Sequence, residues 1–260
     1  MKLTKLILFG AFFVSLMSCD FNTDDDDVIS IDDTVLVLVT EAHSEIGPPS
    51  VVVHFETENP QPCSNYQIQN DFSVEGEMIV SDFDGIFRPN ACSEPEGPAT
   101  STNFTNLDNG EYLLEINYEG DTDLYNIGIA EDSITMDAQN VSFTRTEFDV
   151  SWRYRENSFA YLCGTADGST APCDGFEGIL EDSLTLEEFT FPDRGYVPYP
   201  QTTVGFEYNA PGRFYSYGTP AVFEEVIELL SDYNNEIQAA QNGIVIFMIN
   251  WEGRQVGIGR

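Results

Sequence analysis

Basic side chains are scarce in this sequence. Its 260 residues include ten Lys and Arg against 45 Asp and Glu, with only two His and two Trp. Both lysines, Lys2 and Lys5, lie in the first five residues. A chain this acidic has no positive field for a polyanion, which excludes DNA, RNA and anionic membrane surfaces as partners. Without Lys beyond residue 5, the rest of the chain has no amine side chain for Schiff-base catalysis.

The sequence also lacks the common catalytic motifs. It contains no G-x-S-x-G nucleophile motif, and Gly164-x-x-x-Gly168 lacks the Lys of a phosphate-binding loop. A triad that needs histidine has only His43 and His54 to draw on, and His54 lies inside a β-branched run typical of a packed strand. With 45 acidic residues, some pair of carboxylates will always meet the spacing that glycoside hydrolysis requires, so such pairs identify no site.

A hydrophobic content of 42% and an aromatic content of 13% are enough for a folded core, which argues against disorder throughout the chain. The first apolar run, Leu6 to Met17, has twelve residues and is too short for a bilayer-spanning helix. After Lys2 and Lys5 it has the pattern of a signal peptide, predicted over residues 1–18.

The end of this run, Leu16-Met17-Ser18-Cys19, resembles the lipobox of bacterial lipoproteins, although Met17 replaces the usual small residue. The resemblance implies cleavage before Cys19 and a lipid anchor on it; a plain signal peptide is the alternative. Residues 19–34 then form a predicted acidic tether that includes Asp24 to Asp27. This tether resembles the export signal of Bacteroidetes-type surface lipoproteins, which implies an outer-membrane lipoprotein facing the cell exterior. A linker with no sorting role is the other interpretation.

Residues 35–140 have the two-residue period of β-strands. Val35 to Val39 and Val51 to Phe55 are β-branched runs, and turn residues separate further strands at 111–118, 124–129 and 134–136. Leu107-x-x-Gly110-x-Tyr112 resembles the tyrosine corner of Greek-key sandwiches, in which the Tyr hydroxyl bonds to the backbone. The prediction is an Ig-like or transthyretin-like β-sandwich.

Residues 141–260 are predicted to form a smaller α+β domain, and they resemble no family that we recognise. Strands are expected within 143–154 and at 158–163, 244–249 and 255–258. Thr219-Pro220 is typical of a helix start, and the apolar spacing after it predicts one helix over about 220–240. The fold class predicted for the chain is mainly β with an α+β C-terminal part.

Four cysteines remain beyond Cys19, an even number that is typical of disulfides in an oxidising compartment. Three pairings are open, and sequential pairing, Cys63–Cys92 and Cys163–Cys173, is favoured because each bridge then stays inside one predicted domain. No C-x-x-C motif is present and neither histidine adjoins a cysteine, so no zinc site is predicted.

Aromatic residues crowd the Pro-rich stretch near residues 194–217 and suggest a ligand surface for a glycan or a protein. Its members are Tyr196, Tyr199, Arg213, Tyr215 and Tyr217. Packing of the same rings in the core is the competing interpretation. No cofactor or metal is predicted. The alternative is Ca²⁺, at the Asp-Gly turns 167–168 and 174–175 or in the oxygen-rich hairpin 119–123.

Together these features predict a non-enzymatic lipoprotein that binds a glycan or a protein, or serves as an accessory component of an outer-membrane assembly. The alternatives are a hydrolase of polysaccharide or peptide that uses unidentified carboxylates, and a structural spacer.

Overall fold

A computed structural model describes residues 28–43, 48–92, 95–201, 207–208 and 212–259 of the chain. Strands make up 49% and helices 15% of the structure, which confirms the mainly β class. A large curled sheet comes first and a smaller α+β part follows it.

Eleven of the described strands form the first sheet. In chain order they are β1 (Val28–Ile29), β2 (Val35–Ala42), β3 (Ser50–Thr57), β4 (Gln67–Glu75), β5 (Met78–Phe87), β6 (Thr100–Thr105), β7 (Gly110–Tyr118), β8 (Asp121–Ile129), β9 (Ser133–Asn140), β10 (Thr144–Arg145) and β11 (Val150–Trp152). The sheet order is β10-β2-β3-β6-β4-β5-β7-β8-β9-β11, with β1 paired to β5. The predicted strands near 35–39, 51–55, 111–118, 124–129 and 134–136 are therefore present.

The first sheet folds over one core and is continuous where a sandwich would have two separate sheets. Its link is a single parallel pair, Gln67 opposite Thr100, which joins the four strands β10-β2-β3-β6 to the other six of the path. Across the core, the rings of Phe55 on β3 and Phe83 on β5 meet edge to face at 4.9 Å. Hydrogen bonding thus continues around the bend, and parallel pairs such as β5-β7 make this curled sheet mixed.

The predicted tyrosine-corner hydrogen bond is present at the start of β7. The Tyr112 hydroxyl donates to the carbonyl oxygen of Asp108 at 3.0 Å. This bond ties the turn at Asp108-Asn109-Gly110 to the strand that it opens.

Residues 144–152 belong to the first sheet by hydrogen bonding. Strand β10 runs parallel to β2 at one edge, whereas β11 pairs antiparallel with β9 at the other edge. Residues 143–154, which the sequence predicts as a strand or a bent hairpin, therefore contain two short strands on opposite edges of the sheet that do not pair with each other. The second sheet starts only at residue 158.

The second part has a six-stranded sheet and two helices. Its elements are β12 (Ser158–Thr165), α1 (Ala171–Ser183), β13 (Leu186–Phe189), β14 (Glu207–Tyr208), β15 (Arg213–Tyr217), α2 (Pro220–Ile237), a 3-10 turn (Ala239–Asn242), β16 (Ile244–Asn250) and β17 (Gln255–Ile258). All its strand pairs are antiparallel, in the order β13-β15-β12-β16-β17 with β14 on β12.

Helix α2 matches the predicted helix, with Thr219 as N-cap and Pro220 at its first position. Helix α1 was not predicted, because Gly175 and Gly178 lower its helix propensity. Its buried face, which includes Phe176 and Leu180, packs with α2 against one side of the sheet. A second apolar cluster around Tyr199 and Phe214 covers the other side.

Candidate binding site at the junction of the two sheets

The segment 150–156 leads from the first sheet to the second, and a buried ion pair fixes it. Arg153 Nε lies 2.8 Å from Glu41 Oε1, and the Tyr154 backbone N–H donates to Glu41 Oε2 at 2.9 Å. Glu41 is only 6% exposed. A carboxylate buried this deeply requires such partners, so the contact sets the position of the segment.

Arg153 also holds the neighbouring loops. Its Nη1 donates to Asn109 Oδ1 at 2.7 Å and to the carbonyl oxygen of Ala130 at 2.5 Å. Because Ala130 opens the turn between β8 and β9, one guanidinium joins this turn, the tyrosine-corner loop and β2. Arg153 is therefore a positioning residue of the junction.

Residues 189–200, which we call the Pro-rich stretch from here on, contact the other side of segment 150–156. The Trp152 backbone N–H donates to Tyr196 O at 2.8 Å, and the Tyr196 N–H donates to Val150 O at 2.9 Å. The Trp152 indole N–H donates to Arg194 O at 3.0 Å, and the Tyr154 hydroxyl donates to Pro198 O at 2.8 Å. These bonds hold Trp152 and Tyr154 against the Pro-rich stretch, and both side chains are half-buried.

A groove of about 760 Å³ opens between the β8-β9 turn and the Pro-rich stretch; we call it the junction groove. Its lining residues are Ala130, Glu131, Asp132, Trp152, Arg153, Tyr154, Arg155, Glu156, Phe189, Phe191 and Pro192. The volume falls in the range of ligand sites, and four aromatic rings with charged neighbours give the lining usual for such sites.

Arg155 is the accessible cation of the junction groove. Its side chain is 48% exposed, and its guanidinium carbon lies 4.9 Å above the ring centre of Phe189. Its ion-pair partner Glu187 is 3.8 Å away and 76% exposed, so this contact is weak. Arg155 therefore keeps donors for a ligand.

This lining has the chemistry that a carbohydrate requires. The C–H face of a pyranose packs on aromatic rings, while its hydroxyl groups bond to carboxylates and guanidinium groups. The junction groove has half-buried rings at Trp152 and Phe189 and exposed charges at Arg155, Glu131 and Glu156. Burial, with the nearby Tyr196 and Glu41, raises the pKa of Tyr154, so its hydroxyl stays neutral and keeps its hydrogen bond to the carbonyl oxygen of Pro198.

The predicted aromatic ligand surface is mostly core. Tyr199, Tyr215 and Tyr217 are 2%, 2% and 6% exposed, and they present no face to solvent. Tyr199 packs on Tyr154 and Phe214 with ring-centre distances of 4.8 and 5.7 Å. The competing interpretation, core packing, accounts for these three rings. Tyr215 and Tyr217 on β15 pack on the helix-covered side of the second sheet, and Tyr199 packs in the cluster on its other side.

The other two predicted ligand residues are half-buried and lie apart. Tyr196 lines a different groove on the outer face of the first sheet. Arg213 Nε is 2.9 Å from Glu177 Oε1 on α1, and the Tyr215 hydroxyl donates to the same oxygen at 2.8 Å. Three lining residues of the junction groove, Trp152, Arg155 and Phe189, are not among the ligand residues predicted from the sequence. The run of aromatic and arginine residues at 152–155 was the only sequence signal for them.

Among the acids that the structure describes, Glu177 is the one whose pKa is raised. Desolvation raises it, and the bonds from Tyr215 and Arg213 offset only part of this effect. Glu177 lies between α1 and the second sheet and is not among the lining residues of the junction groove. We therefore assign it to packing.

Both histidines have partners. His43 Nε2 lies 3.0 Å from Trp251 O, and its ring is 4.2 Å from that of Tyr154, which links β2 to the turn after β16. His54 Nδ1 lies 2.9 Å from Thr102 Oγ1 on the neighbouring strand.

The disulfides are Cys63–Cys92 and Cys163–Cys173, which confirms the predicted pairing. They indicate an extracytoplasmic protein. Cys19, the lipobox and most of the acidic tether lie outside the described residues.

Metal and membrane features are limited to the following findings. Within the described ranges, no group of three His, Cys, Asp or Glu side chains is arranged to hold a metal ion. Asp174-Gly175, one of the two turns considered for Ca²⁺, lies in α1 and is not a turn. None of the helices that the structure describes is long and apolar enough to cross a membrane.

Comparisons with models of protein families, with curated proteins and with solved structures find no match to this chain.

Proposed function

We propose that this protein is a carbohydrate-binding lipoprotein of the cell envelope and that the junction groove is its binding site. The observation that carries the proposal is the set of half-buried rings around an exposed Arg155, with Glu131 and Glu156 nearby. A buried ion pair of Glu41 and Arg153 holds this groove in shape. Such preorganisation favours binding because little ordering is needed when the ligand arrives.

The sequence features of the N-terminus support the cellular address. A lipid on Cys19 would tether the protein to the outer membrane, and the acidic run after it favours the face exposed to the cell exterior. An oxidising compartment agrees with both disulfides. An outer-membrane protein that takes up or processes the bound glycan is the partner we propose. An Ig-like relationship of the first sheet also stays a proposal, supported by the Tyr112 corner.

Binding is favoured over hydrolysis. A hydrolase of polysaccharide or peptide needs an acid whose environment raises its pKa beside the bond to be cleaved. Glu177 has the raised pKa but lies in the core, whereas Glu131, Asp132 and Glu156 in the junction groove are exposed. This placement supports a binding role.

A glycan array tests the proposal. The probes are neutral and uronic-acid-containing oligosaccharides, and the proteins are the chain without residues 1–19 and its Phe189→Ala and Arg155→Gln variants. We expect the parent protein to bind a defined set of structures and both variants to lose at least about tenfold in signal, the loss expected when a stacked ring or a charged donor is removed. Arg88→Gln is the control, since Arg88 is an exposed arginine outside the groove. Binding that Phe189→Ala leaves intact would contradict the proposed site.

A further inference from the structure

The outer face of the first sheet carries an apolar patch where a solvated face should be polar. Across β2, β3 and β6, Leu38 is opposite His54, and Val52 is opposite Phe104. The core face of the same strands is made by other residues, such as Val37, Val53 and Phe55. One face of an antiparallel sheet is normally polar when the other is packed, yet Phe104 is 54% exposed here.

A groove of about 420 Å³ crosses this patch; we call it the outer-face groove. Its floor includes Leu36, Leu38 and Val52. Its wall includes Phe148 and Tyr196, whose rings meet at 5.7 Å and 64°. The groove is separate from the junction groove and shares none of its lining residues. Its volume suits a small ligand.

The charges around the outer-face groove are acidic. Glu56 and Glu147 line it, and no Lys or Arg is present among the described residues of its lining. His54 also lines the groove, with Nδ1 2.9 Å from Thr102 Oγ1 and Nε2 3.6 Å from Glu56 Oε2. The nearby Arg145 is ion-paired with Glu58 at 2.6 Å, outside the lining.

We propose that the outer-face groove binds a small amphipathic cation, an alkyl- or arylammonium compound. The apolar floor would take the hydrocarbon body, and Glu56 and Glu147 would pair with the charge. The faces of Phe148 and Tyr196 add attraction, because aromatic rings bind quaternary ammonium groups through their negative faces. An anionic ligand of the same shape would meet these two carboxylates, and the nearby Arg145 is already paired with Glu58.

Calorimetric titration with (naphthylmethyl)trimethylammonium tests this site. The comparison ligands are naphthylmethanol and naphthalenesulfonate, and the titration runs in about 0.3 M NaCl, which screens the general attraction of an acidic protein for cations. We expect saturable binding of the ammonium compound with one site per chain. The sulfonate should bind at least about tenfold more weakly.

Three variants locate the binding. Glu56→Gln and Glu147→Gln should each weaken ammonium binding by about two- to fivefold, the effect of one exposed charge pair. Asp137→Asn, an exposed acid on β9, should leave binding unchanged, and thermal unfolding checks that each variant is folded. Equal binding of the sulfonate, equal loss in Asp137→Asn, or no binding at millimolar ligand would overturn the proposal.

Discussion

Replacement of Asp123 by Asn should destabilise the first sheet more than any surface substitution. Asp123 on β8 is fully buried and accepts five hydrogen bonds. Its Oδ1 receives the Ser142 N–H at 2.7 Å and the Ser142 hydroxyl at 2.8 Å. Its Oδ2 receives the N–H of Phe143 at 3.1 Å and both the N–H and the hydroxyl of Thr144 at 2.7 and 2.6 Å. This one carboxylate therefore fixes the segment from which β10 adds to β2.

The magnitude follows from the donors. Asn keeps one oxygen acceptor and has a donating NH₂ group in place of the other carboxylate oxygen. In the less costly orientation this NH₂ group faces Ser142, and the backbone N–H of Ser142 is left without an acceptor. A buried unsatisfied donor costs about 1–3 kcal/mol, and the remaining bonds lose the benefit of charge. We expect a loss of about 4 kcal/mol in the free energy of unfolding, or about 8 to 16 °C in Tm for a chain of this size.

Urea unfolding followed by circular dichroism measures this effect, with Asp121→Asn as the control because Asp121 is exposed on the same strand. Desolvation raises the pKa of Asp123, but the bonds from Thr144 and Ser142 outweigh it and the net pKa is lowered. A group with a lowered pKa stabilises the fold above its unfolded pKa, about 3.9, and loses this contribution as the pH falls. The gap between the parent and Asp123→Asn should therefore narrow below about pH 4. A variant as stable as the parent at pH 7 would refute the role of this carboxylate.

Two further predictions concern the disulfides and His43. Each disulfide restricts the unfolded chain, so its removal should lower the free energy of unfolding: by about 3.5 kcal/mol for Cys63→Ser with Cys92→Ser, and by about 2.7 kcal/mol for Cys163→Ser with Cys173→Ser. Urea unfolding of the oxidised protein measures both values. Equal stability of both double variants and the parent would contradict the estimate. Burial lowers the pKa of His43, and the smaller effects of Trp251 and Glu41 oppose this shift. Because the unfolded chain binds a proton at His43 more readily than the folded protein does, the free energy of unfolding should decline as the pH drops below about 6.5. His43→Gln should reduce this decline in Tm between pH 7 and pH 5, and an identical pH dependence in both proteins would disprove it.

Local patterns were enough to predict much of the fold. Alternating residues gave β2, β3, β7 and β8, and the Thr219-Pro220 start gave α2, because each signal lies within the element that it specifies. Helix α1 was not predicted because its glycines are typical of turns, and packing against the sheet is what stabilises the helix. The single Gln67–Thr100 link that makes the first sheet continuous joins residues 33 positions apart, and no local pattern encodes it.

The candidate site was harder to predict because it forms from three separate segments. Trp152 and Arg155 are three positions apart in one segment, but Glu131 and Phe189 reach them only through the turn between β8 and β9 and the docked Pro-rich stretch. Composition identified an aromatic-rich region correctly but could not separate exposed rings from buried ones such as Tyr215. That distinction depends on which strand face packs against α1 and α2.

Tryptophan fluorescence tests the carbohydrate site most directly. The chain has two tryptophans, Trp152 in the junction groove and Trp251 elsewhere, so Trp251→Phe leaves one reporter in the site. Titration of this variant with the strongest array ligand should give a saturable change in Trp152 emission. Addition of Phe189→Ala should weaken the binding at least about tenfold, whereas Arg88→Gln should have no effect. A ligand that binds without altering Trp152 emission, or that binds equally well after Phe189→Ala, would place the carbohydrate elsewhere and contradict the account.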